Sequence, residues 1–132
     1  MELSEVEQAW REAGAEIRRG TKGSVLSASF QVAQPPTSLA DLAELVRSWP
    51  KVRTLNLSGL PLSDAWNDVL LSRSELLELV LVDTPVDDEL LVRFPELPKL
   101  KLVDVSGTRV SAEQLAAERK RQIRLRIVKR DG

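Results

Sequence analysis

Residues 52–64 read VRTLNLSGLPLSD, and the same arrangement returns as LLELVLVDTPVDD at 76–88 and as LKLVDVSGTRVSA at 100–112. Each copy starts 24 residues after the one before it. Val52, Leu55 and Leu57 correspond to Leu76, Leu79 and Leu81, and then to Leu100, Val103 and Val105. The last two of each set are two residues apart, which puts them on one face of a strand and turns the residue between them to the other face. A turn follows each strand, at Ser58-Gly59, at Asp83-Thr84-Pro85 and at Ser106-Gly107-Thr108. An inward apolar residue comes next (Leu62, Val86, Val110), and then a polar helix start at Ser63-Asp64, Asp87-Asp88 and Ser111. Ser111 and Gln114 have the spacing of a capping box. The helices that follow are predicted to point Trp66, Val69 and Leu70, then Leu90, Leu91 and Phe94, then Leu115 toward the core. Pro95 and Pro98 end the second of them. Such a unit cannot bury its apolar side alone, whereas stacked copies share one core.

The flanks extend the pattern. Val25, Ala28 and Phe30 repeat the strand spacing, with a longer loop that holds Gln34-Pro35-Pro36-Thr37. A helix is predicted over 38–48, with Leu39, Leu42, Leu45 and Val46 inward and Trp49 at its end. Residues 3–13 form an amphipathic helix with Leu3, Val6, Trp10 and Ala13 on one side, stopped by Gly14. A short strand around Ile17 covers 15–19. At the other end Ile123, Leu125 and Ile127 alternate with Arg124, Arg126 and Val128, which predicts a last strand.

With Thr84 and Thr108 in the turns and Asp64 and Asp87 at or next to the helix starts, the chain resembles the leucine-rich repeat family. Within it, the resemblance is to the ribonuclease-inhibitor-like class and to short bacterial members with the pattern LxxLxLSxTxVTDxxL. Leu60 stands where that pattern has its first threonine. The resemblance implies an α/β fold: a short right-handed solenoid with a parallel concave sheet, convex helices, an N-terminal capping helix and a C-terminal capping strand. The expected organisation is one domain over 1–132, with an N-terminal cap at 1–22, about four repeats over 23–117 and a cap strand within 118–132.

Composition narrows the chemistry. The 132 residues contain no cysteine, histidine or tyrosine. That removes disulfides, thiolate metal sites and the commonest general base. No cofactor and no metal site is expected, and no set of nucleophile, base and orienting group is visible, so the expectation is a protein that is not an enzyme. The acidic group Asp83, Asp87, Asp88 and Glu89 does not have the spacing of a calcium loop and reads as helix capping. Neither a signal peptide nor a run of apolar residues long enough for a membrane span is present, which predicts a cytoplasmic protein with no membrane partner. Trp10, Trp49 and Trp66 fall at helix positions that read as packing.

The net charge of -1 conceals an asymmetry. The last fifteen residues, ERKRQIRLRIVKRDG, carry +5, which leaves -6 for the first 117. Clustered cations suit phosphate contacts. Against nucleic acid stand the absence of interleaved aromatic residues and the near-neutral whole. The same cations suit a helix C-terminus and discourage strand pairing at a sheet edge.

Residues between the apolar positions face outward. In chain order they are Ser27, Ser29 and Gln31; Thr54, Asn56 and Ser58; Glu78, Val80 and Val82; Lys101 or Leu102 with Asp104 and Ser106; and Arg124, Arg126 and Val128. The candidate protein-binding residues are Glu78, Val80, Val82, Leu102, Asp104, Arg124 and Arg126, an apolar patch rimmed by charge. The same residues also admit a purely structural reading, with β-branched side chains pairing across strands and Arg124 or Arg126 pairing with Asp104. The expected function is a non-catalytic protein–protein interaction module that uses the concave face, monomeric in preference to oligomeric. The alternative is a subunit of an assembly, joined through the basic C-terminal edge.

Overall fold

The 24-residue spacing reappears as strand register. A computed structural model describes residues 1–130; Asp131 and Gly132, the end of the expected cap at 118–132, lie outside the described residues. The described chain is mixed α/β, with one six-stranded, mostly parallel sheet and five α-helices. In order the elements are α1 (Leu3–Glu12), β1 (Glu16–Arg19), β2 (Val25–Ser29), α2 (Leu39–Arg47), β3 (Thr54–Asn56), α3 (Ala65–Leu71), β4 (Glu78–Val80), α4 (Asp88–Leu91), a 3-10 turn (Phe94–Glu96), β5 (Leu102–Asp104), α5 (Ala112–Arg121) and β6 (Arg126–Val128). The strands lie side by side in chain order. β1 is antiparallel to β2, and every later pair is parallel. Leu55 sits beside Leu79, Leu79 beside Val103 and Val103 beside Ile127, three steps of 24 residues. The step from Ala28 to Leu55 is 27 residues, because the loop after β2 is longer.

Ala28, Leu55, Leu79, Val103 and Ile127 form a buried row, flanked by buried Val52, Leu57, Leu76, Leu81, Leu100 and Val105. Burial of each such aliphatic side chain contributes about 1.5–3 kcal/mol over leaving it in water. A slip of one residue would turn the whole row to the other face, so the row fixes the register. Trp66, Val69, Leu70, Leu90, Leu91, Phe94 and Leu115 are buried against it, as their helical spacing predicts.

The turns repeat as well. Gly59, Asp83 and Gly107 occupy one position in successive units and all have positive φ, at 79°, 57° and 70°. Aspartate tolerates this region better than most residues with a Cβ. Asp83 also lies over Gly107: a Cβ at 107 would come within 2.0 Å of Asp83 Oδ1. One residue on, the hydroxyls of Thr84 and Thr108 donate to Leu81 O and Val105 O at 2.8 and 2.6 Å. Leu60 has no hydroxyl; there only its backbone N–H reaches Leu57 O, at 3.3 Å, and its side chain is buried.

The helix ends are capped within units and between them. Ser38, Asp87 and Ser111 accept from the N–H groups of Asp41, Glu89 and Gln114. The Gln114 side chain turns to Glu118 instead of back to Ser111, so the expected capping box is only half formed. Asp64 makes no side-chain cap. The orphan carbonyls at helix C-termini are reached from the following unit. Arg73 Nη1 donates to Arg47 O at 2.7 Å, Arg121 Nη2 to Val92 O at 2.8 Å and Gln122 Nε2 to Leu91 O at 3.0 Å.

At the N-terminal end Gly14, at φ 115°, closes α1. Gly14 N donates to Arg11 O and Ala15 N to Trp10 O, the paired bonds of a Schellman ending. Trp10 meets Phe30 edge-on, and Phe30 stacks on Trp49. Leu3 does not join this core; at the helix start it is 41% exposed. At the C-terminal end the expected strand is shorter than its alternation suggests. Residues 123 and 124 form a turn, Ile123 is 82% exposed and only Arg126–Val128 pairs with β5. Gln122 is tied to Leu91 O and accepts from Leu125 N through its own carbonyl, so the chain loops out before it enters β6.

Candidate functional site

The face of the sheet turned away from the core presents its side chains in rows. Register places Ser27, Thr54, Glu78, Leu102 and Arg126 in one row, and Ser29, Asn56, Val80, Asp104 and Val128 in the next. The same spacing continues into Gln31, Ser58, Val82, Ser106 and Arg130. Leu102 therefore takes the first-row position of β5, and Lys101 precedes it.

Within the middle row the polar residues are engaged locally. Asn56 Oδ1 accepts from Ser58 N at 3.0 Å. Asp104 Oδ1 accepts from Ser106 N at 3.0 Å and from Ser106 Oγ at 2.7 Å. Both side chains fold back over the turn that ends their own strand. Val80 holds the position between them and has no polar atom with which to do so. It forms a half-buried apolar patch with Val82, Leu102 and Val128. Glu78 stands beside Leu102, Asp104 beside Val80, and Arg126 on the far side of Leu102. Among the described residues Asp104 makes no ion pair with Arg124 or Arg126.

Six of the seven candidate residues thus share one surface: Glu78, Val80, Val82, Leu102, Asp104 and Arg126. Arg124 does not. It lies in the turn before β6, exposed, and lines an open groove of about 400 Å³ with Phe94, Leu97, Leu100, Ile123 and Leu125. The cation that completes the third row is Arg130, whose N–H donates to Ser106 Oγ at 2.9 Å. The signal for it was present in the 24-residue period, which carries Ser106 to Arg130 and places Arg124 at the position of Leu100.

Other charged groups are bonded within the chain. Arg119 donates to Ile127 O, and Arg121 pairs with Glu118 and reaches Val92 O. Glu118 is 4% exposed, and the Arg121 guanidinium is the chief reason its carboxyl titrates below the usual range; burial opposes this, and Gln122 and Gln114 assist. At the strand entrances Glu75 pairs with Lys99 at 2.9 Å, which lowers its carboxyl in the same way. The acidic group is occupied too. Asp87 caps Glu89 N, and Asp88 accepts from Ser111 N and Ser111 Oγ, both at 2.8 Å. Among the described residues no helix is long and apolar enough to cross a membrane, and no cluster of three or more side chains is placed to hold a metal ion. No protein-family model matches the chain, and no curated protein matches it in sequence.

The arrangement offers an apolar centre of four side chains bracketed by carboxylates and a guanidinium. That combination can desolvate an apolar group and orient it by charge.

Proposed function

We propose that the protein is a non-catalytic interaction module of the leucine-rich repeat kind, a short solenoid that holds a protein partner on the exposed face of its sheet. The repeat reading is supported by the constant 24-residue register, by left-handed residues at 59, 83 and 107, and by the threonine hydroxyls bonded across two of the three turns. The observation that carries the binding reading is the patch of Val80, Val82, Leu102 and Val128. It is half-buried by its neighbours, free of polar atoms and flanked by Glu78, Asp104 and Arg126. A chain without cysteine fits a reducing compartment, and the reading places it in the cytoplasm. The alternative, assembly through the basic C-terminal edge, has less support, because Arg119 and Arg121 are bonded to Ile127 O and Glu118 within the chain.

Affinity capture from the native host with wild type, Val80→Asp and, as a control on a helix, Ala65→Asp tests the reading. A protein held by wild type and Ala65→Asp and lost with Val80→Asp supports it. A partner held equally by all three places the contact elsewhere and refutes use of this face.

A further inference from the structure

Both edges of the sheet end in the same contact. At the N-terminal edge, Leu26 O accepts from Arg53 N and Phe30 N donates to Asn56 O, so the even-numbered residues of β2 turn their polar groups to β3. Ser27 and Ser29 then face β1, where their partners are Arg18 and Glu16. The N–H and C=O of Ile17, between those two, point away from the sheet. Arg11 Nη2 on α1 donates to that outward Ile17 O at 2.9 Å, while its Nε is held by Glu7 at 3.0 Å. At the C-terminal edge, Arg126 N donates to Lys101 O and Val105 N to Val128 O, which turns Ile127 outward. Arg119 on α5 donates to Ile127 O twice, from Nε at 3.2 Å and from Nη2 at 2.9 Å. Each edge strand thus has a buried isoleucine in mid-strand, with its outward carbonyl taken by an arginine of the adjoining terminal helix.

We infer that Arg11 and Arg119 are a matched pair of edge guards that keep a second copy of this chain from adding a strand to either end of the sheet. An open edge is a row of unpaired donors and acceptors, and this sheet is more exposed to the hazard than most. The outer side of β6 is the translated equivalent of the sides that β3, β4 and β5 present to their neighbours, so a further parallel strand fits it by construction. An added strand stands about 4.8 Å away, and its N–H must occupy the place where the guanidinium now donates. Addition would have to break that bond and displace or bury a cation. The short length of β6 and the charges of Arg126 and Arg130 act in the same direction. Contacts between unlike edges do not close on themselves and would build open filaments. This inference is independent of the binding reading.

Sedimentation of the full chain tests it, with wild type, Arg11→Met, Arg119→Met, the double variant, and Arg109→Met as an exposed control with the same loss of charge. Methionine keeps an apolar stem and removes the donors. Near-ultraviolet circular dichroism and tryptophan emission report the fold of each chain; should a methionine chain not fold, leucine at the same site, which likewise carries no donor, replaces it. Wild type and Arg109→Met are expected to remain monomeric across about 10–300 μM. The single variants, with one edge opened, are expected to dimerise, and the double variant to rise beyond about twice the monomer mass. A folded double variant that stays monomeric, or association by wild type or Arg109→Met, overturns the inference. In wild type the Arg119 Nε–H is expected to exchange with solvent more slowly than that of Arg109, and equal rates would also overturn it.

Discussion

The two ends of the sheet share a guard and differ in everything behind it. At the N-terminal end the core closes with aromatic area: Trp10 meets Phe30 edge-on at a centroid distance of 5.6 Å, Phe30 stacks on Trp49 at 5.9 Å, and the Trp10 indole N–H donates to Thr37 Oγ1 at 2.9 Å. At the C-terminal end it closes on a buried carboxylate. Glu118 accepts from Arg121, Gln122 and Gln114, and Arg121 and Gln122 together cap α4. One end relies on non-directional burial, which is indifferent to pH. The other relies on a charge whose worth depends on every partner being present. A stacked sheet can therefore be terminated in two ways, with different sensitivities to mutation and acid.

The largest effect should come from the aromatic end. Phe30→Ala removes the ring between two indoles and is expected to cost about 3–5 kcal/mol. Urea unfolding followed by tryptophan emission reads it. The deficit should be the same at neutral and mildly acidic pH, and a deficit that changed with pH would blur the contrast between the ends.

Glu118→Ala comes next, with an expected cost of about 1–3 kcal/mol, because Gln122 loses an acceptor and Arg121 loses its charge partner. The folded carboxyl titrates below the ordinary value of 4.5, so its contribution is fully present above that value and is lost as pH falls through the folded pKa. The gap between wild type and Glu118→Ala should therefore narrow on acidification below about 4.5, where the gap for Phe30→Ala does not. The N-terminal end has its own lowered carboxyl, Glu7, pulled down chiefly by Arg19. The Glu7 side chain is 15% exposed against 5% for that of Glu118, so its charge is better screened by solvent and weighs less.

Between the ends, Thr84→Val gives the reference for an ordinary unit. The side chain is buried and nearly isosteric, and only its bond to Leu81 O is lost, so about 0.5–1.5 kcal/mol is expected with no pH dependence. A cost as large as that of Phe30→Ala would mean that the turns, and not the ends, limit stability.

The middle of the molecule was legible in the sequence because three copies of one spacing constrain one another. Val52, Leu55 and Leu57 with their counterparts at +24 and +48 are all core. The ends were less legible, where local pattern competes with the period. The alternation of Ile123, Arg124, Leu125, Arg126 and Ile127 reads as one long strand. The period instead carries Val103 to Ile127 and Asp104 to Val128, and the period holds. The side-chain tie of Gln122 to Leu91 O, 31 residues back, decides where the strand can begin, and no local pattern reveals it. The guards were hidden for the same reason. In sequence Arg11 and Arg119 are cations near helix C-termini, and only the third dimension brings Ile17 O and Ile127 O to them. Of the candidate surface, Val80, Val82 and Leu102 followed from alternation, whereas Arg130 in place of Arg124 required trust in the period.

Everything proposed for the exposed face depends on one register that separates core from surface within each strand, and two adjacent residues test it most directly. Leu79 is fully buried, while Val80 lies on the outward face. Leu79→Asp and Val80→Asp carry the same charge to positions one residue apart, and thermal unfolding at neutral pH compares them. Val80→Asp is expected to fold, at a cost of about 1–2 kcal/mol because it gives up half-buried apolar area and stands beside Asp104, while Leu79→Asp is expected not to fold, because an unpaired carboxylate cannot be accommodated in that row. A folded Leu79→Asp, or a Val80→Asp as unstable as its neighbour, would contradict the register and with it the assignment of the face.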